Sequence, residues 1–318
     1  QYDEDLKTKR DGELDAPITI MGPKSAVIRG KSGDSIMEIN HDFIHLEGFS
    51  IDGSGEQEEA DNLDPEFFHG HLIDVHGNRV RMVLHDEHEH RSGVMGFKAD
   101  RLTLSHAGGT CIKMSYFVTH SEVINSDILE CGMSQVGLSP GGSTSTVVAG
   151  RVDGCGRGLD LGTPPAKRTE NIGEETDVSA WNTIKGNTFS GVGGACIIIH
   201  EGARSNLIDS STCIDSNDAS SAGMVVRGIA NILRSNSITG AAGAGLALGG
   251  TEAGDECELS GVFNQVYHNQ LASNGGGALL DGALPQPSGK VCRNSVDEDT
   301  FPELAQDCPD EEEEEEEE

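Results

Sequence analysis

Apolar and small polar residues recur along the chain in one eight-residue pattern. The pattern is Asn-x-apolar-x-x-Asn-x-apolar, and its clearest copies begin at Asn182, Asn231 and Asn264. Looser copies, in which another small residue replaces an Asn, begin at Ser121, Ser145, Asn206 and Gly289, with a degraded one near Phe97. Successive copies are 24 or 25 residues apart, except across two longer gaps that hold insertions. This regular spacing indicates a repeat protein.

A second apolar pair follows most of these copies. The pairs are Ile112/Met114, Val136/Leu138, Leu159/Leu161, Ile197/Ile199, Met224/Val226 and Leu246/Leu248. Their period of two predicts short strands, and the small residues in front of them predict tight corners. No comparable stretch repeats every 3.6 residues, so we expect few helices.

A unit of this length cannot bury its apolar face alone, but stacked units can. The sequence therefore predicts an all-β parallel β-helix of about 10 rungs with inter-rung loops. We expect Asn187, Asn236, Asn269 and Asn294 at equivalent corners, with left-handed backbone and with amides hydrogen-bonded from rung to rung. We assign the β-helix domain to 17–303. It follows an N-terminal segment, 1–16, that we expect to be truncated or disordered, and precedes a disordered acidic tail, 304–318.

Composition and charge exclude several classes of protein. The 318 residues include 42 Gly but only 9 Phe, 3 Tyr and 1 Trp, so the core must be built from small aliphatic residues. The formal net charge of −32 disfavours a nucleic-acid partner, because phosphate backbones are also negative. No apolar run approaches the ~18 residues of a transmembrane segment. Part of the charge is local, since 310–318 is an unbroken acidic run.

The eight Cys residues form no CxxC motif, which argues against a zinc ribbon or a thioredoxin-type site. We expect disulfides and an oxidising compartment, although several of these residues could instead be small buried hydrophobes. Cys131 and Cys155 occupy the same place in consecutive copies, so we predict that they are neighbours, bonded if the protein is extracellular. The chain starts at Gln1 without a signal peptide, as expected of a mature form or a fragment.

The beginning of the chain resembles a known family. Pro17-Ile18-Thr19-Ile20-x-Gly22, and then Phe43-Ile44-x-Leu46-x-Gly48-Phe49-x-Ile51-x-Gly53, are similar to the opening rungs of the pectin-lyase-like superfamily. The resemblance implies a right-handed parallel β-helix, a handedness that parallel crossovers also favour. It further implies a secreted protein that binds or cleaves polysaccharides, in a superfamily of lyases, hydrolases, epimerases and adhesins.

In that family a substrate groove usually follows one exposed strand face. Its lyases typically pair calcium-holding carboxylates with a Lys or Arg base, because a uronate carboxylate must be neutralised before its α-proton can be removed. We therefore looked for charges that share the outward side of the second strand. The candidate catalytic residues are Lys113, Asp160, His200, Glu201 and Arg227. Lys113 and Asp160 are expected two rungs apart, or ~10 Å, with Gly137 between them.

Metal binding has two further candidates. His85, His88 and His90 alternate with carboxylates in a short stretch that could bind a transition metal, although a solvated loop explains it equally. Calcium could bind the acidic stretches Asp34–Asp42 and Glu56–Asp64 or the Glu tail, or these could serve solubility only.

The sequence thus predicts an extracellular or cell-surface protein that binds an acidic polysaccharide. It leaves open whether the protein is an enzyme; if it is, we expect cleavage in the manner of a lyase or a glycoside hydrolase. Its partner would be a cell-wall or matrix glycan, without nucleic acid and without a transmembrane segment. The alternative is a non-catalytic adhesion or matrix protein whose acidic tail binds Ca²⁺. An outward column of small and apolar residues favours this alternative; its members are Gly137, Ile198, Val225, Ala247 and Leu280.

Overall fold

The computed structural model describes residues 2–30, 35–54, 70–77, 93–115, 117–132, 159–161, 179–200, 203–219, 221–249, 261, 263–282 and 289–296. These residues form strands and turns and no helix. In particular, the described ranges hold no helix with the length and apolar character needed to cross a membrane.

The strands form three long parallel sheets, which the chain visits in turn on each coil. In its described part, sheet 1 comprises β3 (Ile18–Met21), β6 (Ile44–Glu47), β10 (Lys98–Asp100), β14 (Glu122–Ile124), β17 (Thr183–Lys185), β20 (Leu207–Asp209), β23 (Ile232–Arg234), β26 (Asn264–Tyr267) and β29 (Gly289–Cys292).

Sheet 2 follows sheet 1 on each coil. Its described strands are β1 (Tyr2–Asp3), β4 (Val27–Arg29), β7 (Ser50–Asp52), β11 (Thr103–Ser105), β15 (Asp127–Leu129), β18 (Thr188–Ser190), β21 (Thr212–Ile214), β24 (Ser237–Thr239), β27 (Gln270–Ala272) and β30 (Ser295–Val296).

Sheet 3 completes the coil. Its described strands are β2 (Leu6–Lys7), β5 (Ser35–Ile39), β8 (His71–His76), β12 (Thr110–Ser115), β16 (Leu159–Leu161), β19 (Ile197–Ile199), β22 (Ala222–Val226), β25 (Ala244–Gly249) and β28 (Leu279–Gly282). The short strands β9 (Val94–Met95) and β13 (Val118–Thr119) pair at the corner between sheets 3 and 1. The predicted all-β parallel β-helix is therefore confirmed.

The chain enters the sheets earlier than the sequence pattern indicated. β1 pairs with β4, and β2 pairs with β5, so strands already form within 1–16. These two strands contain few apolar residues, so the pattern of apolar pairs did not predict them. The acidic tail, 304–318, lies outside the described residues.

Every strand sends alternate side chains inward, and small aliphatic residues stack there along the axis. In sheet 2, for example, Ile51, Leu104 and Ile128 are register partners and fully buried. Phe97 and Phe189 are the largest fully buried side chains of the described core. The inward columns continue from coil to coil, so burial of this repeated apolar stripe stabilises the stack.

Asparagine ladders run along two corners. In the corner before sheet 2, Asn236 Nδ2 donates to Asn269 Oδ1 at 2.9 Å, and Asn269 Nδ2 donates to Asn294 Oδ1 at 3.0 Å. This confirms the predicted rung-to-rung bonding of these three residues. Asn187 occupies the same corner but meets Ser211 on the next coil.

The corner before sheet 1 carries a second ladder that the sequence reasoning did not anticipate. Asn182, Asn206, Asn231 and Asn264 are bonded in series, amide to amide, at 3.0–3.1 Å. At both corners the left-handed backbone belongs to the residue before the Asn, such as Ser235 before Asn236. The prediction that Asn itself would adopt this conformation is wrong, because the ladder requires the Asn side chain to point inward from the start of a strand.

Two disulfides join successive coils inside the core. Cys111 bonds Cys131, and Cys196 bonds Cys213, with Cα–Cα distances of 5.6 and 5.9 Å. Cys292 is also disulfide-bonded. The predicted Cys131–Cys155 pair is wrong. The coil that stacks on Cys131 brings Gly193, whose N–H bonds the Cys131 carbonyl, whereas Cys155 lies outside the described residues.

Candidate functional site

The outward-facing middle position of the sheet 3 strands forms one continuous column. From the N-terminal end, its register partners are Lys7, Glu38, Asp74, Lys113, Asp160, Ile198, Val225, Ala247 and Leu280. We call the first five the charged half of the column and the last four the apolar half. The columns on either side of it are apolar from β5 to β25.

Lys113 occupies the centre of the charges. It pairs in register with Asp74 on one side and with Asp160 on the other, so each Cα neighbour is about 4.8 Å away. The expected separation of two rungs between Lys113 and Asp160 is wrong, because β12 pairs directly with β16. The copy at Ser145, the strand expected at Val136/Leu138 and Gly137 all lie outside the described residues.

The beginning of the charged half is a compact ion-pair network. Glu38 binds the Lys7 ammonium and lies 3.3 Å from His76 Nε2. Burial alone would raise the pKa of Glu38, but the hydrogen bond and charge of Lys7, helped by His76, outweigh burial and lower it. Next to this network, Asp74 Oδ1 is buried and has no hydrogen-bond partner among the described residues. An acceptor oxygen is thus held beside Lys113.

His200 and Arg227 follow the outward column by two positions, directly after the ends of the adjacent strands β19 and β22. The Arg227 N–H donates to the Ile199 carbonyl at 2.8 Å, which extends the strand pairing to this position. Arg227 is half-buried, whereas His200 is completely buried and lies beneath the surface. Arg227 is three strands from Lys113, or about 14 Å along the axis.

The remaining predicted site residues cannot be placed in the same way. Glu201 and the cluster of His85, His88 and His90 lie outside the described residues, and for Asp160 only the backbone position is described. Among the described residues, no three His, Cys, Asp or Glu side chains are grouped to hold a metal ion. The described donor set therefore does not fit calcium, and no step is assigned to it below.

The apolar half of the column is covered. Ile198, Val225 and Ala247 are each at most 9% exposed, and they pack with a second row of Ala195, Ala222 and Ala244 into a cluster separate from the main core. Leu280 at the end is 63% exposed. The small and apolar residues expected along this column are thus limited to the C-terminal half of sheet 3.

The longest stretches of chain between the described strands all adjoin strands of sheet 3. The segments 55–69, 78–92, 133–158, 162–178, 250–260 and 283–288 each join directly, or within a few residues, to an end of a sheet 3 strand. Connections between sheets 1 and 2 are only a few residues long, as between β14 and β15. Long loops on a rigid scaffold are where binding and catalytic groups concentrate, so sheet 3 is the favoured location of a site.

The sequence reasoning missed two charged groups on the other sheets. On sheet 2, Asp52 Oδ1 lies 2.9 Å from His106 Nδ1 and Asp52 Oδ2 lies 2.9 Å from an Arg29 nitrogen, while His106 Nε2 lies 2.8 Å from Glu130. Hydrogen bonds from His106 and Ser54 outweigh burial and lower the pKa of Asp52. The bond to Asp52 in turn raises the pKa of His106 against the effect of burial.

On sheet 1, Lys185, Asp209, Arg234 and Tyr267 are register partners on four successive strands. Each follows the first apolar residue of a copy of the eight-residue pattern, and this shared place could have revealed them. Likewise, the pairs Met37/Ile39 and Ile73/Val75 bracket Glu38 and Asp74, so the column could have been followed to the N-terminal end.

Comparison with solved structures supports the fold. The chain is similar to an alginate lyase from Paenibacillus sp. str. FPU-7, with a TM-score of 0.61 and 14% identity over 94% of this chain and 81% of that one. A mannuronic acid specific polysaccharide family 6 lyase from human gut microbiota matches at a TM-score of 0.39 and 12% identity, covering 92% and 76% of the two chains. A periplasmic alginate epimerase matches at 0.35 and 11%, covering 88% and 77%.

Only the alginate lyase is similar enough in structure to support a conclusion. At 14% identity, that conclusion is the parallel β-helix fold alone. No protein-family model matches the sequence, and no curated protein matches it.

Proposed function

We propose that the protein binds an acidic polysaccharide along the face of sheet 3 and cleaves it by lyase-type elimination at Lys113. The observation that carries this proposal is the register of Lys113 between Asp74 and Asp160, on the sheet whose strands the long connections adjoin. A Lys base in register with two acidic residues is the combination that the family resemblance implies for a uronate-cleaving groove. The likeness to an alginate lyase supports the same class of substrate.

In the proposed reaction, the neutral amine of Lys113 removes the proton from the carbon next to a uronate carboxylate. The electron pair that is left forms a carbon–carbon double bond, and the adjacent bond to the glycosidic oxygen breaks. The proton then passes to that oxygen. The products are two shorter chains, one of which ends in an unsaturated uronate.

Arg227 is too far from Lys113 to act on the same sugar atom. We assign to it the carboxylate of another sugar in the same chain, which its guanidinium can bind through two parallel hydrogen bonds. Because the neutral amine is the base in this reaction, the cleavage rate is expected to rise with pH until the amine is neutral.

The test is incubation with alginate, pectate and sulfated glycans, with and without Ca²⁺, while the absorbance of the unsaturated product is recorded. Lys113→Met keeps the apolar stem and removes the amine, so cleavage is expected to fall by about 10²- to 10⁴-fold. Lys98→Met is the matched control, because Lys98 is also outward-facing and pairs with Glu122 at 2.9 Å, but on sheet 1. Equal loss in the two variants would contradict the proposal.

A non-catalytic surface or matrix protein is the second candidate, and the covered apolar half of the column favours it. It predicts saturable polysaccharide binding without any unsaturated product. For either function we propose an extracellular or cell-surface location, since the disulfides of the described core are typical of oxidising compartments.

A further inference from the structure

The single Trp of the chain stands at an unusual place. Trp181 occupies the corner immediately before β17, where its backbone is left-handed, with φ 58°. A bulky residue rarely adopts this conformation, and the corner is a position where Gly or Asn is favoured. The side chain is nevertheless 52% exposed, so it contributes little to the core. Its indole stacks on the His120 ring of the preceding coil, with centroids 5.4 Å apart and planes at 27°.

A cation lies on the next coil at the same corner. Arg204 pairs by a backbone bridge with Ala180, the neighbour of Trp181, and its own side chain is exposed. This corner thus combines a stacked, exposed aromatic ring with an exposed Arg on the next coil.

Two more cations lie across the same sheet. Lys185 Nζ and an Arg234 guanidinium nitrogen lie 3.5 and 3.2 Å from Asp209 Oδ2, and their side chains are 55% and 42% exposed. Burial alone would raise the pKa of Asp209, but hydrogen bonds from Ser210 and Arg234 outweigh it and lower the pKa. One buried carboxylate therefore orients two exposed cations and leaves the group with a net positive charge.

The two edges of this face are a short distance apart. Trp181 and Lys185 are separated by four residues of extended chain, or about 13 Å. Between them, the outward positions of β17, β20 and β23 carry Thr183, Leu207 and Ile232, which are half-buried. An aromatic surface, a shallow apolar floor and a row of cations follow one another on a protein whose net charge is −32.

We propose that this part of sheet 1, from the Trp181 corner to Lys185 and Arg234, is a second binding surface for an anionic glycan. A sugar ring stacks on Trp181, and carboxylates of neighbouring sugars contact Arg204, Lys185 and Arg234. A positive patch on an otherwise acidic protein selects a negative ligand and sets its position. The ligand class is that of the proposed function, but the site is separate, so each proposal can fail without the other.

The single Trp makes a direct test possible, because the intrinsic indole fluorescence of the whole protein reports on this corner alone. Titration with oligouronates at low salt is expected to change the emission saturably, and a neutral oligosaccharide of equal length is expected not to. Lys113→Met on sheet 3 should leave the titration unchanged. Arg204→Gln, or Lys185→Gln with Arg234→Gln, should each weaken binding about tenfold.

Trp181→Asn removes the ring while keeping a residue that tolerates left-handed backbone, and binding is then measured by calorimetry. Phe263→Asn is the matched control, because Phe263 is also left-handed and 68% exposed at the same corner of another coil. We expect loss only with Trp181→Asn. The proposal is overturned if the emission does not change, if neutral glycans act equally, or if both Asn variants bind alike. It is also overturned if Lys113→Met abolishes the change while the sheet 1 variants do not, which would assign Trp181 to the sheet 3 groove.

Discussion

The charged and apolar halves of the sheet 3 column share one backbone and one inward core but differ in where their polar groups lie. In the charged half, the outward column carries charged residues, and the corner before sheet 2 carries Phe49 and Leu102 and, on the coil of Asp160, Ser126. In the apolar half, the outward column is Ile198, Val225 and Ala247, and the same corner carries Asn236 and Asn269. Because the stack tolerates both arrangements, the fold does not require the charges around Lys113. The function proposed above would give these charges a role.

The largest effect on stability is expected when a charged residue is introduced into the apolar half of the column. Val225→Asp places a carboxylate at a position that is 6% exposed, in a cluster with Ile198 and four alanines. A buried charge without a partner should lower the free energy of unfolding by about 3 kcal/mol or more. Urea denaturation measures this. Lys113→Val is the converse exchange and should change stability by less than about 1 kcal/mol. Equal losses would show that the two halves are not different environments.

A somewhat smaller effect is expected from the asparagine ladder that stabilises the C-terminal coils. Asn231→Ala removes the acceptor of Asn206 Nδ2 and the donor to Asn264 Oδ1, and both partners are buried. The Asn206 N–H also loses its acceptor, so the loss of these buried hydrogen bonds should lower the free energy of unfolding by about 2–3 kcal/mol. Urea denaturation is again the measurement, with Ser237→Ala, at a half-buried position outside the ladder, as control. A loss below about 0.5 kcal/mol would mean that the ladder is not a stabilising element.

Dependence on pH should separate the halves further, because the Asp52–His106–Glu130 group belongs to the N-terminal coils. The pKa of His106 is raised on folding, so its contribution is complete below its unfolded pKa of about 6.5 and is lost as pH rises through the folded pKa. The pKa of Asp52 is lowered, so its contribution is present above about 3.9 and is lost only in stronger acid. Stability should therefore fall from mildly acidic to mildly alkaline pH.

The size of this fall should be below about 1 kcal/mol, because solvent screens these partly exposed groups. Thermal unfolding as a function of pH measures it, and His106→Gln should remove the dependence over that range. An unchanged profile in the variant would assign the dependence to other groups.

The smallest effect is expected at the first ion pair of the charged half. The side chains of Lys7 and Glu38 are 47% and 30% exposed, so Lys7→Met should change the free energy of unfolding by less than about 0.5 kcal/mol. The difference should shrink further at high salt. A melting-temperature series in low and high salt is the measurement. A large, salt-independent loss would show that this network is structural.

The sequence predicted the parallel β-helix well because most strands contain two apolar residues that are two positions apart. It was less informative about which coils are neighbours. The stretch around Val136/Leu138 has the same pattern as a strand, yet β12 pairs with β16, and so Lys113 and Asp160 are adjacent. The period of the apolar residues predicts strands but does not show which strands are neighbours. Strand pairing depends on backbone hydrogen bonds across the whole stack.

The disulfide error has the same origin. Cys131 and Cys155 were matched by position in a repeat, whereas bonding depends on the distance between Cα atoms across coils. The same limit applies to the candidate site. Lys113 and Arg227 could be found one by one from their place in the pattern, but their separation of three strands could only come from the pairing of the sheets.

The two disulfides of the described core would also shape the response of the molecule to mechanical force. A pull along the axis unwinds a coil of parallel strands one turn at a time, since each turn is bound mainly to its neighbours. Cys111–Cys131 and Cys196–Cys213 enclose sequence separations of 20 and 17 residues. Each would withhold about 60–70 Å of chain from the extension until it is reduced. A surface protein built in this way would stretch further in a reducing environment than in an oxidising one.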